Sequence, residues 1–235
     1  MSTHTHRSKR QHSGPLRDNS LTIVFGVLFL LALLGQAVSG SFKFNNQAIA
    51  DGVDTISFWH YLTTSDFAVD IAENWQSEYL QFLLYIFLTV WLVQRGSPES
   101  KKVDDAGAES DRKQMVGEHA KEDSPAWAKV RGWRLAVYSR SLVLVMGAIF
   151  FGSWLAQSIA GRAAYNETEL SQLQMPVSWV GYVTSADFWN RTLQNWQSEF
   201  LAVASMVAFS IYLRQRGSPE SKPVGASHTS TGVEG

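Results

Sequence analysis

Two glutamates have the type and placement to do chemistry. Glu78 closes Asn74-Trp75-Gln76-Ser77-Glu78, and Glu199 closes Asn195-Trp196-Gln197-Ser198-Glu199. Each precedes an uncharged run, Tyr79 to Gln94 and Phe200 to Leu213. The second run reaches roughly 21 Å at helical rise, short of a hydrocarbon core of about 30 Å. To cross a bilayer, that helix must extend back to about Gln194, which draws Glu199 and its counterpart Glu78 about one turn below the outer boundary. Gln36 and Gln157 sit near the outer ends of two other apolar stretches, so Gln36, Glu78, Gln157 and Glu199 form a candidate polar cluster at one depth. A carboxylate there is partly desolvated, and could bind a cation or carry a proton. It could equally fasten helices by hydrogen bonds to the glutamines, with Trp75 and Trp196 anchoring the interface. The fastening reading leads, because water reaches an interface and each helix carries one carboxylate. Helix two adds a polar stripe, Asn74, Glu78, Gln81 and Tyr85. Helix four has Ala202 and Met206 where the last two would fall, so only one half supports a polar path.

The elements behind these residues occur twice. The paired motifs begin at Asn74 and Asn195, an offset of 121 residues (195 minus 74), and Gln-Arg-Gly-Ser-Pro-Glu-Ser-Lys recurs at 94–101 and 215–222 with the same offset. Residues 19–42 and 141–161 carry no Asp, Glu, Lys or Arg, and stretches of that length can cross a bilayer as helices. These patterns predict an all-α polytopic membrane protein: four transmembrane helices as two tandem hairpins, a parallel internal repeat. The expected helices cover about 20–40, 65–95, 139–160 and 187–216, with outer loops at 41–65 and 162–186. Ala37-Val38-Ser39 looks like a signal-peptidase site. The equivalent internal stretch at 157–161 cannot be one, which favours a retained span. Small residues at four-residue spacing, Gly152, Ala156 and Ala160, and the row Ser153, Gln157 and Gly161, predict close helix approach.

Basic residues set the orientation. Residues 1–18 hold Arg7, Lys9, Arg10 and Arg17, and residues 95–140 hold ten Lys and Arg, whereas 41–78 has Lys43 alone and 162–199 has Arg162 and Arg191. The expected organisation is a cytoplasmic disordered tail over 1–18, a first transmembrane hairpin over 19–96, a cytoplasmic charged linker over 97–125, a second hairpin over 126–217, and a disordered tail over 218–235. Both termini are then cytoplasmic, and any pseudo-twofold axis runs along the membrane normal. The Gln-Arg-Gly-Ser-Pro stretches stop helices, and their recurrence suggests a cytoplasmic partner or a turn packed between the repeats. Asn166-Glu-Thr168 fits a glycosylation sequon.

Other chemistries have little support. Net charge is −1, with no basic surplus for nucleic acid, and there is no cysteine. No Walker loop, dinucleotide fingerprint, HExxH or GxSxG occurs, so neither an enzyme, a cofactor nor a metal is expected. With its paired Asn-Trp-Gln-Ser-Glu and Gln-Arg-Gly-Ser-Pro-Glu-Ser-Lys motifs, the chain resembles an uncharacterised bacterial family of small integral membrane proteins, a domain of unknown function, over about 18–222. The resemblance implies a bacterial cytoplasmic (inner) membrane location and carries no catalytic or binding residue. The expected partners are the lipid bilayer and a second copy or another membrane protein. The leading functional expectation is a non-enzymatic structural or interaction protein of the envelope; the alternative is a small ion or proton channel or transporter using Glu78 and Glu199.

Overall fold

The computed structural model describes residues 14–233. Arg7, Lys9 and Arg10 of the expected N-terminal tail lie outside the described residues. Secondary structure among the described residues is helical throughout: α1 (Pro15–Asp18), α2 (Ser20–Ala50), α3 (Phe58–Tyr61), α4 (Ser65–Leu88), α5 (Trp133–Tyr138), α6 (Ser141–Ser171), α7 (Trp179–Val183) and α8 (Ala186–Tyr212), with three 3-10 turns between α4 and α5. The described residues form two compact units, divided between Phe67 and Ala68.

In the first unit α2 runs ten residues past its expected end. Nothing between Gly40 and Ala50 breaks a helix; it stops at Asp51, and Gly52 follows with φ 73°. The returning chain is clipped by Asn45. Its side-chain nitrogen donates to Ile56 O and its Oδ1 accepts from Ile56 N–H, both at 2.9 Å. Ser57 then caps α3 by accepting from His60 N–H at 3.2 Å, and Tyr61 is buried.

The second unit repeats this arrangement 121 residues on. The helix α6 also overruns, to Ser171, and ends where Leu173 takes φ 58°. Asn166 clips Val177 through the same pair of bonds, at 3.1 and 2.8 Å. The amide of the apparent sequon is therefore a structural clip. Ser178 caps α7 on Gly181 N–H at 3.1 Å. Tyr182 is buried against Gly161, where an added Cβ would collide with the phenol oxygen. Burial pushes the Tyr182 phenol well above its ordinary value, and the Asp187 carboxylate adds to that.

Of the eight α-helices among the described residues, α2 and α6 are long and apolar enough to cross a membrane by length and composition. Only 6% of the apolar window of α2 and 17% of that of α6 is buried, so neither is enclosed as the core helix of a soluble domain would be. By contrast α4 carries Asp66, Asp70, Glu73 and Glu78, and α8 carries Asp187, Arg191 and Glu199. Four crossings therefore do not follow from length and composition.

Both α4 and α8 stop short of the expected ends near 95 and 216, for a reason visible in the repeated motif. Gln94 N–H donates to Ser100 Oγ at 2.7 Å, and Gln215 N–H to Ser221 Oγ at 2.9 Å. A continuing helix would send these donors to Val90 O and Ile211 O. Val90 O instead accepts from Gly107 N–H, and Ile211 O from Arg214 Nη1. Ser97 Oγ and Ser218 Oγ accept from Glu99 and Glu220 N–H, both at 3.2 Å, and Gly96 and Gly217 take φ 89° and 81°. The motif is a self-bonded turn, formed twice.

Residues 218–233, expected as a disordered tail, lie against the first of these turns. Lys222 is 1% exposed, and its ammonium donates to the carbonyls of Gly96, Ser227, His228 and Ser230 at 2.6 to 3.3 Å. Gly96 N–H donates to Thr231 Oγ1 at 2.8 Å, and Gly232 N–H to Ser97 O at 3.1 Å. Burial, with Arg214 nearby, pushes the Lys222 ammonium below the ordinary lysine value; the four carbonyl dipoles act in the other direction.

Candidate functional site

Three helices of the second unit contribute to one polar network. On α4, Asp70, Glu73 and Gln76 are spaced three apart and share a face. On α8, Arg191, Thr192 and Trp196 face them, and Gln157 reaches in from α6. The Arg191 guanidinium grips Glu73 in a bidentate pair, Nε to Oε1 at 2.5 Å and Nη2 to Oε2 at 3.2 Å, the geometry in which arginine holds carboxylates best. Asp70 lies 3.6 Å from the same guanidinium.

Gln157 is fully buried, as are Thr192 and Gln76. Its Nε2 donates to Thr192 Oγ1 at 3.3 Å and lies 3.5 Å from Glu73 Oε1. Glu73 fixes that amide's orientation, because the reverse setting would oppose two oxygens. Trp196 Nε1 donates to Gln76 Oε1 at 2.7 Å. Around the indole, Phe150 and Trp154 stack at 19°, and Trp154 meets Phe188, Trp189 and Trp196. Gln157 Oε1, Gln76 Nε2 and Trp154 Nε1 are buried without a hydrogen-bond partner among the described residues.

The structure distributes the sequence-predicted residues differently. Gln157 bonds to Glu73 and Thr192, not to Glu78 or Glu199. Glu78 is exposed. Glu199 is half-buried and lies within electrostatic reach of Glu78. Gln36 belongs to the first unit and is half-buried on α2. The two motif tryptophans diverge: Trp196 joins the network, while Trp75 is 42% exposed.

Glu73, Arg191 and Thr192 escape a search for identical residues in the two repeats. Glu73 aligns with Gln194, Arg191 with Asp70, and Thr192 with Ile71. One clue was available: positions 70 and 191 are equivalent and carry opposite charge. Across a twofold relation such positions face each other, so a sign change between copies is an attractive pair.

Among the described residues the network brings no nucleophile beside a base. Among the described residues no three His, Cys, Asp or Glu side chains group to hold a metal ion. What the geometry can do is neutralise one buried charge with another and tie three helices together. Its class is thus a helical protein with two helices of membrane-spanning length and a buried, charge-bearing helix junction. The chain belongs to the family described as Domain of unknown function (DUF6766), which matches residues 12–233. No curated protein and no solved structure matches it.

Proposed function

We propose that the chain is a four-crossing protein of a bacterial cytoplasmic membrane, non-enzymatic, serving as a structural or interaction component of the envelope. Both termini and the 97–125 linker lie on the cytoplasmic side. The observation that carries the reading is the Glu73–Arg191 pair, locked to Gln157 and Thr192. A bidentate ion pair that joins two helices, with a buried amide from a third, resists the opening that a transport cycle requires. Membrane crossing by α4 and α8 is supported by the apolar side chains each leaves exposed, Phe82 and Phe87 on α4, Leu201 and Phe209 on α8. The partner is a second copy or another membrane protein.

A cation or proton route through Glu78 and Glu199 is the second reading. It is favoured by the mutual approach of these carboxylates, neither of which forms an ion pair among the described residues. Purified protein in liposomes, under proton and sodium gradients, separates the two. The structural reading expects no flux above empty vesicles. Flux that disappears in the Glu78→Gln/Glu199→Gln double variant would overturn it.

A further inference from the structure

The two Ser-Pro-Glu turns meet at a cavity that the junction above does not use. A polar chamber of about 540 Å³ has Pro98 and Glu99 from one repeat and Pro219 and Glu220 from the other on its walls, with Lys102 beside them. It adjoins an apolar cleft of about 570 Å³ between α4 and α8, whose lining includes Leu84, Leu88, Val203 and Ala204. Tyr85, Thr89, Glu99 and Ser100 border both. Each volume falls in the range of small-molecule sites.

We propose that this composite cavity holds one phospholipid with a primary-amine headgroup, its acyl chain in the α4–α8 cleft and its headgroup between the two Ser-Pro-Glu turns. The proposal rests on the membrane reading above, which sets the cleft among lipid chains and the turns at the cytoplasmic surface. Charge complementarity selects the headgroup. Tyr85 Oη donates to Glu99 Oε2 at 2.8 Å and holds that carboxylate at the mouth of the cleft. Glu99 and Glu220 have no cation partner among the described residues, whereas Lys101 and Lys113 are already paired with Glu109 and Asp105. Among the described residues Lys102 is the unpaired cation of the chamber. Two carboxylates and one ammonium fit a zwitterion that presents N–H donors on one side and a phosphate on the other. An anionic lipid without an amine would leave both carboxylates opposed to its charge.

The test uses the full chain reconstituted in vesicles of equal phosphatidylethanolamine, phosphatidylcholine and phosphatidylglycerol. Flotation after an alkaline wash comes first; a chain that does not float defeats the membrane reading itself. Floated protein is then taken into mild detergent, and retained lipid is identified by native mass spectrometry. Phosphatidylethanolamine should be retained over each of the others by about tenfold. Glu99→Gln/Glu220→Gln, a change confined to the chamber wall, should abolish the preference. Ala204→Trp, which fills the cleft, should remove the lipid. A floating protein that retains no lipid, retains all three equally, or appears as a lipid-free dimer covering the cleft overturns the proposal.

Discussion

Lys101 and Lys222 occupy the same motif position, yet their surroundings differ. Lys101 is partly exposed and pairs with Glu109 at 3.3 Å. Lys222 is enclosed by four carbonyls with no acid among its partners. Removing it strands buried acceptors, so Lys222→Met should cost about 2 kcal/mol. Lys101→Met should cost less than about 1 kcal/mol, as exposed pairs do. Thermal unfolding of the two variants in the same detergent checks the contrast, and equal losses would count against the carbonyl cage. The Glu73–Arg191 pair invites a double-mutant cycle. Glu73→Gln and Arg191→Gln should each destabilise by about 2 kcal/mol, because the second leaves Glu73 without its cation and the first leaves Arg191 only the longer contact to Asp70. The double variant should lose less than the sum, and additive losses would mean the pair is not coupled. This pair was hidden from the sequence for a physical reason. A repeat directs attention to what its copies share, but a junction between copies is closed by complementary residues, which must differ.

At the scale of elements, existence was legible and limits were not. Charge-free runs announced α2 and α6, whereas the Gly-Ser-Pro steps put the end of α4 seven residues too late (95 against 88) and that of α8 four too late (216 against 212). The overruns of α2 and α6 were missed because both clips act over eleven residues, through Asn45 and Asn166 side chains that look like ordinary loop polarity. The small-residue rows divide in the same way. Ser153, Gln157 and Gly161 form a buried face of α6, whereas Gly152 is exposed with nothing near its Cβ position. Gly161 admits Tyr182 from α7, and in the first unit Gly40 admits Tyr61 from α3. The small residue thus accommodates a tyrosine from the next short helix rather than a neighbouring span. Gly161→Ala should therefore destabilise by about 1–3 kcal/mol through overpacking. Tyr182→Phe in the same chain should restore part of the loss, since the phenol oxygen is the nearest obstacle. Gly152→Ala should be neutral, or stabilising by up to about 1 kcal/mol, as for an unobstructed helical glycine. Melting temperatures of the three variants decide this, and a loss at Gly152 equal to that at Gly161 would refute the packing account.

For the whole molecule the number of crossings turns on the linker. If only α2 and α6 cross, a chain with its N-terminus inside carries residues 97–125 outside, together with most of the ten Lys and Arg of 95–140. That arrangement opposes the charge bias that orients membrane proteins. If α4 and α8 also cross, the same basic residues stay inside. The segments at 51–57 and 172–178, between the long helices and their short partners, then lie outside. The cost of four crossings is carrying the charges of α4 and α8 toward the membrane. It is lowered where Glu73 and Arg191 neutralise each other, and where Asp66, Asp70 and Asp187 sit near the starts of these helices, by an interface; Glu78 and Glu199 lie at mid-helix. Alkaline phosphatase inserted at 110, active only outside the cytoplasm, should be inactive, and the same enzyme inserted at 174 should be active. Activity at 110 would leave two crossings and remove α4 and α8 from the bilayer. Glu73→Gln, which removes the bidentate partner of Arg191 and leaves it only the longer contact to Asp70, should shift a fraction of chains toward the two-crossing state, read as activity rising at 110.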